Sequence, residues 1–183
     1  MATLNATPKS TSANSYATLA EAGTYMETVR PTDEVSWLKE SEPTRERLLM
    51  LATRIIDNHF IFSGHKTDSN QALQWPRNSV LVDGTFSTNN LQFFDANTVP
   101  QVVKNATSQL AFELVANDVL ASADGEGLES VSVGDINVSF DKEDRNSTGA
   151  IPNSVYTMLR KYGQYKPSLN STNTSIQQTK VMR

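Results

Sequence analysis

The side chains of this 183-residue chain best suited to chemistry are two histidines and the carboxylates beside them. His59 and His65 stand six positions apart, with Asp57 and Asp68 flanking them. One helix presents two metal ligands at i and i+4, so this spacing holds an ion only if a loop folds the residues together. The residues read instead as a packed His59, an exposed His65 and no metal. A Ser-His-Asp triad assembles in space rather than in sequence, but no Gly-x-Ser-x-Gly elbow marks a nucleophile here. There is no glycine-rich phosphate loop and no dinucleotide fingerprint. Cysteine is absent, which removes thiolate and disulfide chemistry. The acids between Asp124 and Asp144 lie among turn formers, where solvation leaves them unsuited to acid–base work. The expectation is a protein that is not an enzyme and needs no cofactor.

One further segment has residue types that could touch a ligand. In Trp75-Pro76-Arg77 the indole could stack a base and the guanidinium could hold a phosphate. The competing reading, and the favoured one, is loop packing: Trp75 plugs a gap between helices while Pro76 fixes the loop. No second cluster of basic and aromatic residues lies nearby in the sequence.

Charge is unevenly distributed. The net charge is −4, yet from Arg145 to the C-terminus there are six basic residues and no acid. The preceding residues carry ten basic and twenty acidic side chains, a net of −10. Between Asp124 and Asp144 seven acids face one base, Lys142. An acidic body with a basic tail implies two surfaces for two kinds of partner. No apolar run approaches the roughly 20 residues that span a bilayer. The start, MATLNATPKSTSANS, has neither the basic beginning nor the apolar stretch of a secretory signal, so a soluble, cytoplasmic chain is expected.

The elements that would carry these residues are mostly helices. Residues 1–14 are polar and without periodicity, and are expected to be disordered alone. Thr18 and Glu21 have capping-box spacing, and Leu19, Ala22, Tyr25, Met26 and Val29 then share one helix face until Pro31. A longer helix starts near Ser41 with Pro43 in its first turn and places Leu48, Leu51, Ala52, Ile55, Ile56 and His59 on one side. Ser63 to Pro100 reads as loop. The longest helix follows Val99-Pro100 and runs to about Ser122, with Val103, Ala106, Leu110 and Leu114 as its stripe. Past Asp124-Gly-Glu-Gly127 the period changes to two, and Val131, Val133, Ile136, Val138 and Phe140 predict a β-hairpin. Ile151-Pro152 opens a last helix carrying Val155, Tyr156, Leu159 and Tyr162, with Gly163 as its C-cap. Residues 166–183 are polar again. The fold class expected is mainly α: a small bundle of about four helices with one hairpin at about 130–140. The helical domain covers 15–163, between extended polar tails at 1–14 and 164–183.

The order of several segments resembles a known family. These are Ser15-Tyr-Ala-Thr-Leu-Ala-Glu-Ala22, Trp37, Ala52-Thr-Arg-Ile-Ile-Asp57, Gly64, Gln71-Ala-Leu-Gln-Trp-Pro-Arg77, Val99-Pro100 and Val133-Gly-Asp-Ile-Asn-Val138. Over roughly residues 12–163 the chain is similar to the head–tail connector (adaptor) proteins of tailed bacteriophages, often catalogued under a DnaT-like single-stranded-DNA-binding label. The resemblance implies a structural virion protein, assembled in the host cytoplasm, that forms a ring of typically twelve copies beneath the portal. Its implied partners are itself, the portal protein, the next neck or tail component, and double-stranded DNA passing through the lumen without specific binding. On that reading the basic tail, with Tyr165, Lys166, Lys180 and Arg183, docks onto the portal. The acids Asp124, Glu126, Glu129, Asp135, Asp141, Glu143 and Asp144 then line the channel or a subunit interface. Asn78–Asn97 and the tail beyond Tyr165 match no motif of the family, and the competing account of the tail is that it wraps the adjacent subunit. The alternative is a DnaT-like accessory protein that binds single strands; that needs a basic groove with aromatic platforms, which the acidic body does not offer on sequence.

Overall fold

The computed structural model describes residues 3–29, 34–82, 91–116, 130–133, 136–139 and 151–166. The element order is α1 (Leu19–Val29), α2 (Glu34–Lys39), α3 (Glu42–His59), β1 (Phe60–Phe62), β2 (His65–Lys66), β3 (Arg77–Asn78), α4 (Gln101–Ala116), β4 (Ser130–Val133), β5 (Ile136–Ser139), α5 (Asn153–Leu159) and β6 (Gly163–Tyr165). The fold is mainly α, with short antiparallel strand pairs added.

Helix starts follow their capping chemistry. At α1 the Thr18 N–H donates to Glu21 Oε2 at 2.9 Å and the Glu21 N–H donates to Thr18 Oγ1 at 3.2 Å, which satisfies two otherwise orphaned amides. Ser41 caps α3 by accepting from the Thr44 N–H, with proline in the first turn. α4 is the hub and packs against α3, α1 and α5. Its Val103, Ala106, Leu110 and Ala111 are buried together with Leu49, Ala52, Ile55 and Ile56 of α3 and Met26 of α1. Each large aliphatic contributes about 1.5–3 kcal/mol by leaving water. On α3 the buried stripe is centred on Leu49 and Thr53 rather than on Leu48 and Leu51, which are only partly covered.

α4 buries more than an apolar stripe. Thr107, Ser108 and Gln109 are also inside. Buried polar groups need partners. Thr107 Oγ1 donates to the Val103 carbonyl at 2.9 Å, and Tyr25 Oη of α1 donates to Gln109 Oε1 at 3.0 Å. Gln109 Nε2 and Ser154 Oγ of α5 both donate to Glu113 Oε1, at 2.6 and 2.5 Å. One polar network thus fixes the relative register of three helices. On the surface, Lys104 Nζ meets Glu21 Oε1 at 2.5 Å and ties α4 to α1 again.

Several features differ from the sequence reading. The short α2 puts Trp37 fully inside the core. The N-terminal segment is ordered by hydrogen bonds: Asn14 N–H donates to the Asn5 carbonyl at 2.9 Å, Asn5 N–H donates to Asn14 Oδ1 at 2.7 Å, and Ala72 N–H donates to the Ser10 carbonyl at 3.1 Å. Periodicity searches detect buried apolar faces and are blind to such polar turns. Within Ser63–Pro100, residues 80–82 and 92–94 form an antiparallel ribbon. Phe94 N–H donates to the Val80 carbonyl at 3.0 Å and Val82 N–H donates to the Gln92 carbonyl at 2.9 Å. Strand alternation sends Val80 and Phe94 inward and Leu81, Leu91 and Phe93 outward. Gly163 is no C-cap, since α5 ends at Leu159 and Gly163 opens β6. A Cβ there would lie 2.7 Å from the Ile61 carbonyl oxygen, so the β1–β6 approach itself requires glycine. β4 and β5 pair as the expected hairpin, Val131 opposite Val138 and Val133 opposite Ile136.

Candidate nucleic-acid interface

α3 runs into β1 without a loop, and β6 returns antiparallel to it with Phe60 opposite Tyr165 and Ile61 opposite Gln164. The ladder continues past both ends of the strand pair: Ser63 N–H donates to the Tyr162 carbonyl at 2.8 Å, and Lys166 N–H donates to the His59 carbonyl at 2.7 Å. This pairing collects rings from distant parts of the chain. His59 stacks on Tyr165 at 6.0 Å, while Tyr156 of α5 meets Tyr165 edge-on at 6.3 Å and tilts over Phe60 at 6.3 Å. Phe60 is buried beneath them, whereas Tyr156 is 38% exposed. Burial pushes the Tyr165 hydroxyl above its ordinary pKa, and it has no hydrogen-bond partner among the described residues.

Basic residues neighbour these rings in the chain. Arg160 lies one helical turn beyond Tyr156, and Arg160, Lys161 and Lys166 are all exposed. The only carboxylate in residues 54–63 and 151–166 is Asp57, and it faces inward. Its Oδ1 accepts from the Tyr16 hydroxyl, and its Oδ2 accepts from the Gln74 N–H at 3.1 Å. Burial, the largest influence, pushes the Asp57 carboxyl up to about 6 against the opposing pull of the Tyr16 hydroxyl, the Gln74 N–H and the Lys66 and Arg77 charges. Desolvation also raises the Tyr16 hydroxyl well above its usual value. The outer surface of the patch therefore carries positive charge and aromatic edges together.

The other sequence candidates fall elsewhere. Trp75 is 1% exposed and packs edge-on against Phe62 at 5.5 Å and Phe94 at 6.0 Å. Its bond to Pro76 is cis. Arg77 is buried and spends its guanidinium on the chain: Nε donates to the Ser63 carbonyl at 2.7 Å, Nη2 to the Phe62 and Gly64 carbonyls, and Nη1 to Gln74. Neither side chain offers a surface to a ligand. Gly64, at φ 68°, would set a Cβ 2.0 Å from the Asn78 carbonyl oxygen, so the turn beside Arg77 admits glycine alone. His65 lies on β2, apart from His59, and Asp68 accepts from the Asn70 N–H in its own turn. Among the described residues no three His, Asp or Glu side chains gather as metal ligands. Asp124, Glu126, Glu129, Asp135, Asp141, Glu143 and Asp144 lie outside the described residues, as do Lys180 and Arg183. Tyr165 and Lys166 sit in the patch. This cluster left no signal in the sequence, because Tyr156 shares the spacing of core residues and Tyr165 reaches it only through β6.

A family model described as "Putative DnaT-like ssDNA binding protein" matches residues 3–183. The chain belongs to this family. That match covers the DnaT-like part of the sequence resemblance and favours single-strand binding over the connector role, of which the family description says nothing. No curated protein and no solved structure matches the chain. For this DnaT-like chain, the sequence objection to single-strand binding was an acidic body without a basic groove and aromatic platforms; pairing of β1 with β6 brings His59, Tyr156 and Tyr165 together next to exposed basic residues of the chain. No described helix is long and apolar enough to cross a membrane.

Proposed function

We propose that this protein binds single-stranded nucleic acid, DNA by the family description, across the patch formed by Tyr156, Tyr165 and His59. The observation that carries the reading is the gathering of partly exposed rings with a stretch of chain, residues 156–166, that also bears the exposed Arg160, Lys161 and Lys166. Bases stack on the exposed part of the Tyr156 ring and the phosphates that flank them meet the three cations. Such recognition tolerates any sequence, since every base has a π-face. The binding involves no covalent step. Fluorescence anisotropy with labelled dT20 tests it. Tyr156→Ala is expected to weaken binding by about 1–3 kcal/mol, roughly five- to 150-fold, with the fold intact by circular dichroism. Affinity of the wild type should also fall steeply between 50 and 200 mM salt (conditions of the assay). Tight binding unchanged by Tyr156→Ala would remove the patch from the site.

A second reading keeps the connector resemblance. A single-strand site gives no role to the outer face of the ribbon formed by residues 80–82 and 92–94, where Leu91, beside it, and Phe93 are 49% and 50% exposed. An apolar ribbon face of this kind suits burial against a neighbouring subunit. In this reading the chain is one subunit of a ring below a phage portal, in contact with the portal, the neck and passing duplex DNA. Light scattering on the purified protein separates the two cases. A ring has a mass many times the 20.2 kDa chain, whereas a single species of one chain at all concentrations rules the ring out in isolation.

A further inference from the structure

We infer that the outward face of the β1–β6 ribbon, built on Ile61 and Gln164, takes the base-pairing edge of an unpaired base and so separates single strands from duplex. The inference deepens the single-strand reading above and rests on it. The face follows from the register. Phe60 stands opposite Tyr165 and Phe62 opposite Gly163, and this side of the ribbon turns toward the rings of the core. Side chains alternate along a strand, so the intervening pair, Ile61 and Gln164, points the other way. Both are exposed, and Ile61, at 61%, is the most exposed large apolar side chain among the described residues. Lys166, two residues beyond Gln164, is exposed as well. Its amide bonds the carbonyl of His59, whose ring stacks on Tyr165, so the outward face adjoins the aromatic patch there.

The chemistry of the pair suits a base. A side-chain amide offers a donor and an acceptor side by side in one plane. Every base carries a neighbouring donor and acceptor on its pairing edge, and Gln164 matches either order by turning its amide over, so no base is refused. In a duplex those edges are spent on the opposite strand, whereas in a single strand they are open. Ile61, directly across from Gln164, gives the base an apolar floor beside the amide. Both side chains are placed before any ligand arrives. The β-branched Ile61 is stiff at its first torsion, and Gln164 follows Gly163, where the strands approach too closely to admit a Cβ. Charge selects the same occupant. Residues 59–66 and 151–166 carry Lys66, Arg160, Lys161 and Lys166 without a single carboxylate, which suits a polyanion. Stacking on Tyr156 holds a base by its π-face; the ribbon adds contacts to its edge.

Anisotropy titrations of the full-length chain, with labelled dT20 and with the same strand annealed to its complement, test the inference. The wild type should prefer the single strand. Gln164→Met keeps the length of the side chain and removes its donor and acceptor at an exposed position. It is expected to weaken dT20 binding about fivefold, the scale of one or two lost hydrogen bonds. Duplex affinity and the salt dependence of both titrations should stay nearly unchanged, because no phosphate contact is lost. The preference for single strands then shrinks by the same factor. Ile61→Thr, which keeps a β-branched strand former and removes apolar surface, should shrink it about threefold. An equal loss for dT20 and duplex would assign the Gln164 effect to the fold or to charge and overturn the inference. Wild-type affinity for dT20 in both variants, while Tyr156→Ala still weakens binding, would overturn it too and leave the patch acting alone. If the wild type itself fails to bind dT20, the single-strand reading falls, and this inference with it.

Discussion

Replacing Trp75 with alanine is expected to cost about 3–5 kcal/mol of stability, the range for emptying a large aromatic site in a close-packed core. Trp75 is 1% exposed and joins Phe62 of β1 to Phe94, which is paired with Val80 and in turn meets Tyr162 at 5.3 Å. Its loss removes the centre of that aromatic series. With an m-value of about 2 kcal/mol/M, the urea midpoint should drop by roughly 1.5–2.5 M. Trp75→Phe is the informative companion. The indole Nε1 is buried without a partner among the described residues, so phenylalanine removes an uncompensated polar atom while keeping most of the volume. That variant should lose less than about 1.5 kcal/mol. A loss for Trp75→Ala below about 1 kcal/mol would show that the site collapses freely and that Trp75 is not a core residue. Wherever Trp75→Ala remains folded, its affinity for dT20 should equal that of the wild type, in contrast to Tyr156→Ala.

A second large effect is expected from Asp57 in the pH dependence of stability. The folded state raises its pKa from 3.8 to about 6. Between those values the folded protein holds a proton that the unfolded chain has released. Stability from this group is therefore full below about pH 4 and is lost as pH rises through 6. A two-unit shift corresponds to about 3 kcal/mol at most. Asp57→Asn removes the titration and keeps a similar shape. Unfolding free energies from urea titrations between pH 4 and 7.5 should fall for the wild type relative to the variant by about 2 kcal/mol, most of it between pH 4 and 6. Parallel curves for the two proteins would mean that Asp57 titrates alike in the folded and unfolded chains.

Much of the helical frame was legible in the sequence because its signals are local. Thr18 with Glu21 announces a helix start within four residues, and Ser41 with Pro43 does the same. The alternation of Val131, Val133, Ile136 and Val138 marked the hairpin. The candidate site was not legible, for reasons of length and distance. β1 and β6 are three residues each, too short to display a period, and Phe60 meets a partner, Tyr165, far along the chain. The sequence reading ended the helix face at His59 and began the loop at Ser63, so Phe60-Ile61-Phe62 was assigned to no element. Gly163 has the composition of a helix cap, and only the close approach of the Ile61 carbonyl shows its other use. Trp75 and Arg77 were correctly noticed as unusual, yet the physical reason is internal: an indole in the core and a guanidinium shared among carbonyls of the chain.

The fastening of both ends of the described chain to α3 bears on how the protein folds. Near the start, Tyr16 N–H donates to Thr53 Oγ1 at 3.2 Å; at the far end, Lys166 reaches His59 through its amide. One helix thus closes contacts with the earliest and the latest described parts of the sequence. Contacts of such separation are slow to form, since a long loop must be closed before any of them is rewarded. On the ribosome, α3 emerges with the N-terminal segment already available, but Phe60 of β1 waits for Tyr156 and Tyr165 until α5 and β6 have been synthesised. An apolar strand left open for that interval is a point of attraction for other nascent chains. Completion of the last few strand residues, rather than formation of the helices, is then the step that commits each molecule to its native state.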